Sequence, residues 1–403
     1  MAMWRLLALV AIGVALLWEG RPAYSFAYLF LVLFFLWQHW QTKAASQIRI
    51  SRRPQESRFF PQDFGEVQLN VVNNSNFPFP WVSLGDKIPH NLLAGGRLER
   101  LVFPLPGRAQ NELSFNLSPR QRGVYRLGPL ELAVGDLFGI NTQRFSVPDF
   151  QTVVVYPQVH PLTELALPAR LPFGNLQAVR RIYPDPTRLA GVRPYEQGDP
   201  LRTLHWPATA RTHSLQVKQF EHTVTANCLI FLNLHEKDYE VASFYPTTEL
   251  AISTAASLAS ALITAGESCG LFTNGSLTEY LPDQKISLSG QDQTLQIPAG
   301  QGLAQLTEIL TVLAGLEPQL LDFVTLLRSQ EQVYAPGSIL LWIVPQDSPE
   351  ILAEAEKQVR AGRQVLLFIV GAKVLHPGLL HRPQGASLQM FAVRSQGGLN
   401  HEH

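Results

Sequence analysis

Two long apolar runs occupy the first 42 residues of the chain. The first extends from Trp4 to Trp18 and contains one charge, Arg5, and the second extends from Ala23 to about Trp40. A membrane-spanning helix needs roughly 17 to 25 mostly apolar residues, and tryptophan favours the interface between lipid and water, where both runs end. The pattern predicts a hairpin of two transmembrane helices over residues 1–42.

Basic residues flank this predicted hairpin on one side. The turn between the runs holds only Arg21, opposed by Glu19, whereas five basic residues follow the second run. Cytoplasmic flanks carry an excess of lysine and arginine, so we expect a two-pass plasma-membrane protein with both termini and the soluble domains in the cytoplasm. A cleaved signal peptide ending near Ala23-Tyr-Ser25 is the alternative, but the second run still needs a membrane. The five basic residues are Lys43, Arg49, Arg52, Arg53 and Arg58.

Residues 43–160 are predicted to form an antiparallel β-sandwich. Short stretches of alternating apolar and polar residues recur between turn signals, for example Glu66–Val72 before Asn73-Asn-Ser-Asn, and Gly123–Leu127 before Gly128-Pro129. Alternation with a period of two is typical of half-buried strands, and regular turn spacing is typical of sandwiches. No catalytic cluster stands out in this segment, which suits a recognition surface or a spacer.

Residues 225–395 follow a different pattern, in which strands alternate with helices. Asn227–Leu234 is a continuous apolar run, typical of a strand covered on both faces. Such alternation predicts a parallel sheet. Together with the predicted sandwich, this gives the fold class α/β plus all-β. Residues 161–224 are then a linker between the two domains, and residues 396–403 are a tail. Further strands are predicted at Cys269–Thr273, Leu277–Leu281, Ser338–Val344 and Gln364–Val370, and helices at Thr248–Ala265, Leu303–Leu313, Pro318–Arg328 and Ser348–Ala361.

Composition narrows the classes of function. Of the 403 residues, 46% are hydrophobic and 16% are charged, and the 32 lysines and arginines equal the 32 aspartates and glutamates. A chain without net charge lacks the basic field that is typical of nucleic-acid-binding proteins. Its two cysteines, Cys228 and Cys269, lie on predicted buried strands. No disulfide framework is therefore expected, and a reducing compartment is indicated.

The predicted linker contains a segment that is dense in charged and turn-forming residues. In it, Asp199 followed by Pro200 predicts the start of a short helix, because the carboxylate can accept from the N–H groups of the first turn. Pro207 limits this helix to one or two turns. Arg202 lies three residues after Asp199 and four before Trp206, so we expect its guanidinium to pair with the carboxylate and to lie over the indole.

This segment permits two interpretations. In the structural interpretation, Asp199 caps a helix, Arg202 bridges Asp199 and Trp206, and Trp206 packs against the protein. This network then fastens the sandwich to the α/β domain. In the functional one, arginines present a surface for an acidic or phosphorylated partner. The candidate arginines are Arg180, Arg181, Arg188, Arg193, Arg202 and Arg211.

The same residues carry a resemblance to a known family. Their order and spacing resemble the hallmark of bacterial and archaeal proteins that carry the domain of unknown function 58. A weaker match, from Arg122 to Gly139, is similar to that family's strand pair ending in Asp-x-Phe-Gly. The resemblance implies an α/β domain of von Willebrand factor type A kind over residues 225–395. The hallmark positions are Arg193, Gly198, Asp199, Arg202, Trp206, Ala210 and Arg211.

In metal-binding members of that fold, the loop after the first strand carries Asp-x-Ser-x-Ser and holds a divalent cation through oxygen ligands. The corresponding positions here are Asn233, His235 and Lys237. These residues remove the charge and the oxygens that a hard cation needs, and Asp347, after a later strand, does not make a site alone. We therefore expect no metal and no other cofactor. The spacing of the histidines from 205 to 235 matches no zinc pattern either.

The function that follows is a membrane-anchored, non-enzymatic adaptor or assembly component with a cytoplasmic head. Relatives in the resembled family are often encoded beside a MoxR-type AAA+ ATPase and a membrane-bound transglutaminase-like protein, and the resemblance implies both as partners. The chain lacks the Gly-x-Ser-x-Gly, phosphate-loop and Gly-x-Gly-x-x-Gly motifs, so the usual hydrolase, nucleotidase and dinucleotide-binding enzymes have no support. The alternative is an enzyme of cell-envelope metabolism that binds an anionic substrate through the arginine cluster.

Overall fold

A computed structural model describes eleven stretches of the chain and four isolated helical positions, Gly13, Leu29, Val32 and Lys43. The stretches are residues 46–53, 57–93, 100–135, 142–168, 189–196, 199–220, 227–277, 287–289, 294–331, 338–371 and 387–394. Most of the predicted hairpin, residues 1–42, and the predicted tail, residues 396–403, lie outside the described residues. Within the described stretches, no helix is long and apolar enough to cross a membrane.

The chain divides into two compact units, Met1–Pro157 with Thr278–Asp283, and Gln158–Leu277 with Gln284–His403. The described strands of the first unit pair into three sheets with the orders β1-β3-β6, β2-β10-β7 and β5-β4-β8-β9. Every pairing is antiparallel except that of β2 with β10. The strands are β1 (Ile48–Arg52), β2 (Arg58–Phe59), β3 (Gly65–Asn73), β4 (Phe79–Asp86), β5 (Leu101–Leu105), β6 (Gln110–Leu117), β7 (Gly123–Leu127), β8 (Leu130–Gly135), β9 (Thr142–Val147) and β10 (Gln151–Val155).

Alternation along the strands builds the core of the first unit. In β3 every second residue is buried, so Val67, Leu69 and Val71 point to the same face of the sheet. They pack in one cluster with Val82 of β4 and Val153 of β10, which belong to the other two sheets. Burying an aliphatic side chain stabilises the fold by roughly 1.5–3 kcal/mol. The pattern that predicts these strands therefore also selects the face that is buried.

The second unit begins with a 3-10 helix, Leu162–Leu165, and a two-stranded antiparallel ribbon. The ribbon pairs β11 (Leu189–Pro194) with β12 (Gln216–Phe220). Between these strands lie a second 3-10 helix, Leu201–Thr203, and helix α1 (Trp206–Thr212). The hallmark segment therefore has regular structure of its own.

The rest of the second unit alternates strands with helices. Its main sheet has seven strands in the order β16-β17-β14-β13-β19-β20-β21, and a separate pair joins β15 to β18. The strands are β13 (Asn227–Leu232), β14 (Ser268–Thr273), β15 (Ser276–Leu277), β16 (Ser287–Ser289), β17 (Thr294–Gly300), β18 (Leu316–Glu317), β19 (Ile339–Val344), β20 (Gln364–Ile369) and β21 (Leu388–Ala392). The helices are α2 (Phe244–Thr264), α3 (Gly302–Ala314), α4 (Phe323–Ser329) and α5 (Pro349–Arg360), with 3-10 helices at Glu236–Asp238 and Val241–Ser243.

Five neighbouring strands of this sheet are parallel, but one edge of the sheet differs from the prediction. β17 runs antiparallel to β14, and β16 runs antiparallel to β17. β17 is not among the predicted strands, and it contains Pro298 at a register shift against β14, where a proline is tolerated. Of the predicted strand Leu277–Leu281, the structure describes only Leu277, which belongs to β15 and pairs outside the main sheet.

Helix α4 starts later in the chain than the apolar pattern predicts. The pattern predicts a helix from Pro318, whereas α4 begins at Phe323, because the Asp322 carboxylate accepts from the Thr325 N–H at 3.0 Å. The residues before it are engaged in β18 and in an isolated bridge to Gln319. An apolar period of 3.6 therefore located this helix but not its first turn.

Helices cover both faces of the parallel strands. On one face, Phe323 of α4 and Ile351 and Ala355 of α5 cluster with Trp342 of β19. On the other, the 21-residue α2 packs against β13, β14 and β19. The predicted mixture of α/β structure with several β-sheets is confirmed at this level.

Candidate functional site

The hallmark segment is held by an ion pair that involves Arg193 of β11. Its Nη2 donates to Oδ1 of Asp199 at 2.7 Å, and its Nη1 donates to Oδ2 at 2.9 Å. The Glu196 N–H donates to the same Oδ2 at 3.0 Å. A two-point pair of guanidinium and carboxylate is specific in its geometry. These bonds, led by the one from Arg193, lower the pKa of Asp199.

The prediction that Asp199 caps a helix is wrong, because its carboxylate is already occupied. Arg193 and the Glu196 N–H bind both oxygens, and the 3-10 helix Leu201–Thr203 begins after Pro200 without a side-chain cap. Hydrogen bonds between two charged groups are stronger than those to a neutral N–H. Asp199 therefore fixes β11 to the turn that follows it.

Near Pro207, which is predicted to limit the helix that starts at Pro200, a new helix starts instead. His205 Nδ1 accepts from the Ala208 N–H at 3.0 Å, and α1 begins at Trp206. Pro207, which was expected to limit a helix, lies in the first turn of α1, where its missing N–H removes no helix hydrogen bond. The predicted helix from Pro200 is thus divided into a 3-10 helix and α1.

Arg202 does not make the contacts that its spacing predicts. Its expected carboxylate is bound to Arg193, and within the described stretches Arg202 has no ion-pair partner and lies over no aromatic ring. Its side chain is exposed, as are those of Ala210 and Arg211. Trp206 is 67% exposed. The bridging and packing roles of the structural interpretation are therefore wrong for these residues, and Gly198 lies outside the described residues.

The 3-10 helix and α1 are anchored on one side by β12. The His205 N–H donates to the Gln216 carbonyl at 2.8 Å, and the Gln216 N–H donates to Thr209 Oγ1 at 3.0 Å. Leu204 and Val217 form an isolated bridge and are buried. Five of the exposed side chains of this segment are called the hallmark surface, and they are Leu201, Arg202, Trp206, Ala210 and Arg211.

The hallmark surface combines positive charge with exposed apolar area. Leu201 is 69% exposed, close to the value for Trp206. Arg211 lies in the last turn of α1, and no carboxylate of the described residues pairs with it or with Arg202. Tryptophan and arginine are the residue types that most often dominate the energy of protein interfaces. The surface is therefore suited to an anionic group beside an apolar contact.

The loop that corresponds to the cation site lies at the carboxyl end of β13 and is filled by hydrogen bonds. Asn233 is fully buried, and its Nδ2 donates to Asp238 Oδ2 at 2.7 Å. Its Oδ1 accepts from the His235 N–H at 2.9 Å and from Asn274 Nδ2 at 3.2 Å. The Tyr239 hydroxyl donates to the Asn233 carbonyl at 2.6 Å, and burial raises the pKa of Tyr239. Both polar atoms of the Asn233 side chain therefore have partners.

Asn274 extends this network to a third loop. Its Oδ1 accepts from the Leu234 N–H at 2.7 Å, and its Nδ2 also donates to the Leu321 carbonyl at 2.7 Å. Asn274 is not among the predicted site residues, although it directly follows β14, the strand beside β13. Polar residues at the ends of adjacent parallel strands meet at one edge of a sheet, and this was the available signal.

The other residues of the predicted degenerate loop have different environments. Lys237 is exposed, and His235 is half-buried, with a buried Nδ1 that has no hydrogen-bond partner in the part of the chain that the structure describes. Asp347 is buried after β19. Among the described residues, no group of three or more His, Cys, Asp or Glu is arranged to hold a metal ion. Amide groups at the centre offer a hard cation few charged oxygens.

Arg52, one of the basic residues that follow the predicted hairpin, is buried. Its side chain is 4% exposed, and its Nη2 lies 2.9 Å from Oδ1 of Asp86, which is 1% exposed. Asp149 lies farther away, with its Oδ2 at 3.8 Å from the Arg52 Nε. Burial raises the pKa of Asp86, although Arg52 opposes this effect. Arg52 therefore links β1 to β4, and its charge is not available to lipid headgroups.

The family resemblance is confirmed over part of the chain. Residues 191–323 match the family described as "Protein of unknown function DUF58". This match includes the hallmark segment from Arg193 to Arg211 and the loop at Asn233. A relative, "Uncharacterized protein YeaD" of Bacillus subtilis (strain 168), is 24% identical over 242 residues. That alignment covers 58% of this chain and 58% of the relative, so the chain spans little more than half of the relative's length.

Solved structures show only weak likeness to the chain. The CARDB domain of a Pyrococcus furiosus protein, solved in complex with di-metal ions, is 18% identical, with 27% of this chain and 90% of that chain covered at a TM-score of 0.20. A fragment of Escherichia coli alpha-2-macroglobulin, from domain MG7 to the C-terminus, is 10% identical, with 28% of this chain and 17% of that chain covered at a TM-score of 0.23. TM-scores this low carry no argument about this protein.

Proposed function

We propose that the chain is a non-enzymatic adaptor or assembly component that binds a protein partner through the hallmark surface. The division of labour within the hallmark supports this most. Arg193 and Asp199 hold the segment in place, whereas Arg202, Trp206 and Arg211 are exposed. A motif that served only to fasten two domains would bury its tryptophan, because burial is what an aromatic ring contributes to stability.

The partner that fits this surface carries carboxylates or phosphates beside an apolar recess. Arginine forms two-point hydrogen bonds with both groups, and complementary charge speeds association and selects partners. From the family resemblance, we propose a MoxR-type AAA+ ATPase as the partner and a transglutaminase-like membrane protein as a further component. Nucleotide-driven work by the ATPase then acts on the complex.

The same proposal places the chain at the plasma membrane with its head in the cytoplasm. The two apolar runs of residues 1–42 and the basic residues after them support the anchor and its orientation. We propose that the second unit has a fold of the von Willebrand factor A type. Its support is a covered sheet with five parallel strands and a polar loop at the carboxyl end of β13.

Binding of the purified full-length chain to a purified MoxR-type ATPase tests the proposal. Arg202→Ala combined with Arg211→Ala is expected to weaken binding by about tenfold or more, as hot-spot truncations do, with an unchanged melting temperature. Arg360→Ala is the matched control, because Arg360 is 82% exposed and lies in the same unit. If the folded double variant binds the ATPase as the parent chain does, the proposed surface is wrong.

The enzyme alternative uses the same two arginines for a small anionic substrate. Two guanidinium groups without carboxylate partners in the described stretches suit such an anion equally well. It predicts that the chain alone turns over a phosphorylated or carboxylated envelope precursor, and that Arg202→Ala with Arg211→Ala abolishes turnover while ATPase binding persists. The adaptor proposal predicts no turnover by the parent chain and loss of ATPase binding in the double variant.

A further inference from the structure

A second group of exposed apolar side chains lies on two segments that follow or contact the carboxyl end of β13. Its three side chains, Val241, Tyr245 and Leu320, are 94%, 79% and 64% exposed, and together they are called the sheet-end surface. The two segments that carry them are joined at this strand end. The Gln319 N–H donates to the Leu234 carbonyl at 3.1 Å, and the Glu236 N–H donates to the Gln319 carbonyl at 3.1 Å.

Packed aromatic rings support Tyr245 of the sheet-end surface. Tyr239 is buried, with its hydroxyl bound to the Asn233 carbonyl. Its ring lies 5.9 Å from that of Phe244, which lies 5.6 Å from that of Tyr245, both in edge contacts. A ring held this way loses little further freedom when a partner covers it. Tyr245 is therefore exposed to a partner and has one edge contact with a ring that itself packs on the buried Tyr239.

The two surfaces of the second unit carry opposite charge. The segments 234–249 and 316–322 contain six carboxylates and a single lysine, Lys237. Residues 199–220, in contrast, contain Arg202, Arg211 and Lys218 and one carboxylate, Asp199, which is bound to Arg193. Five of the six carboxylates are exposed, and they are Glu236, Glu240, Glu249, Glu317 and Asp322.

We infer that the sheet-end surface docks the hallmark surface of a second copy of this chain. Charge complementarity and the exposed apolar side chains on both surfaces point to this occupant. The whole chain has equal numbers of acidic and basic residues, so the opposite charge of the two surfaces is a local property. The inference rests on the proposed function in one respect, that the hallmark surface is a docking surface. Another protein that carries basic and apolar side chains is the competing occupant, and the experiment below separates the two.

This contact joins two different patches, so it has consequences for assembly. Each copy in such a pair keeps one unused hallmark surface or one unused sheet-end surface, and the chain can therefore close into a ring or extend further. A partner bound at the hallmark surface competes with the second copy. Self-association and partner binding are thus mutually exclusive at that surface.

Crosslinking between copies tests the inference directly. The full-length chain is purified in mild detergent as a mixture of unlabelled and isotope-labelled copies, with Tyr245 replaced by p-benzoylphenylalanine. Irradiation is expected to join labelled and unlabelled peptides, and the captured peptide is expected to contain Trp206. The inference is overturned if crosslinks form only within one copy or reach a different surface. It is also overturned if no crosslink forms at a chain concentration of about 10⁻⁴ M, at which ordinary interfaces are occupied.

A charge exchange provides the second measurement. Glu236→Arg with Glu240→Arg, or Arg202→Glu with Arg211→Glu, is each expected to weaken self-association by about tenfold or more. Mixing the two variants is expected to restore it, because the unaltered hallmark surface of the first variant can dock on the unaltered sheet-end surface of the second. The two altered surfaces also carry opposite charge. Glu356→Arg with Arg360→Glu, an exposed pair on α5, is the control and leaves self-association unchanged. A mixture that remains monomeric contradicts the inference.

The two proposals fail in different ways. If the parent chain stays monomeric yet loses ATPase binding on Arg202→Ala with Arg211→Ala, the inference fails and the proposed function stands. If the charge exchange restores self-association but the hallmark variants bind the ATPase normally, the inference stands and the proposed function fails.

Discussion

The Asn274 side chain donates to the Asn233 side-chain oxygen at 3.2 Å, across the carboxyl ends of neighbouring strands β13 and β14. Both amides are fully buried. Between them they bind the Asp238 carboxylate and the main chain of two other loop segments, at Leu234 and His235 and at Leu321. This is the position where a cation loop is expected in the resembled fold. Hydrogen bonds of two amide side chains therefore join these loops.

Removal of Asn274 tests how much of the loop order depends on this network. We expect Asn274→Ala to lower the free energy of unfolding by about 2–3 kcal/mol, because it leaves the Leu234 N–H and the Leu321 carbonyl buried without their present partners. Denaturation followed by circular dichroism measures the change. Asn116→Ala, an exposed asparagine of β6, is the control and is expected to change stability by less than about 0.5 kcal/mol. Equal stability of the two variants contradicts the prediction.

The hallmark is expected to separate into residues that stabilise the fold and residues that do not. Arg193→Ala removes the two-point pair with Asp199, so we expect faster hydrogen exchange in β11 and β12, measured by mass spectrometry on peptides. Arg202→Ala removes an exposed side chain without an ion-pair partner in the described stretches, and exchange in the same peptides is expected to stay unchanged. Similar protection in both variants runs against this division.

The Asp199 carboxylate also predicts a pH dependence. Its pKa lies below the ordinary value of 3.8 because of Arg193 and the Glu196 N–H. A carboxyl group with a lowered folded-state pKa stabilises the fold above its unfolded-state pKa, and this contribution is lost as the pH falls through the folded-state value. We expect protection of β11 and β12 to fall below about pH 4. The control is Asp199→Asn, in which this step is absent, and a step that persists in it must come from another group.

Periodicity predicted the strands and helices that local contacts form, and it failed where distant residues decide. The assignment of Asp199 to Arg202 considered only neighbours at helical spacing, but Arg193 reaches the carboxylate from a strand that exists because β12 pairs with it. Asn274 lies 41 residues from Asn233, and a single sequence contains no signal of their contact beyond their positions after two strands. The exposure of Trp206 likewise depends on which side of α1 packs on β12.

The buried pair of Arg52 and Asp86 predicts an asymmetric response to mutation. Asp86→Ala leaves a guanidinium buried, which cannot lose its proton, so we expect a loss of about 3–5 kcal/mol of unfolding free energy. Arg52→Met leaves a carboxyl group that can take up a proton, and the loss is expected to be smaller. Denaturation by urea measures both changes. The control is Arg53→Met, since Arg53 pairs with Glu112 at the surface and such pairs contribute about 0–1 kcal/mol.

The same two variants differ in the sign of their pH dependence. Burial already raises the pKa of Asp86, and removal of Arg52 raises it further. A group whose folded-state pKa exceeds its unfolded value binds protons on folding, so the Arg52→Met variant should become more stable as the pH falls through the raised pKa. Asp86→Ala lacks this group and should not gain stability there. A gain in both variants assigns the effect to a different carboxyl group.

The two cysteines are expected to be unreactive while the protein is folded. Cys228 and Cys269 are fully buried register partners on β13 and β14. Burial raises the pKa of Cys228 from 9.0 to about 12 and also raises the pKa of Cys269. Because the thiolate is the reactive form, modification by a disulfide reagent at pH 8 should be slower than that of an exposed thiol by about a thousandfold. Arg360→Cys supplies the exposed reference thiol, and denaturant should release two further thiols from that variant. Rapid modification of either native cysteine would show that β13 and β14 open more readily than their complete burial implies.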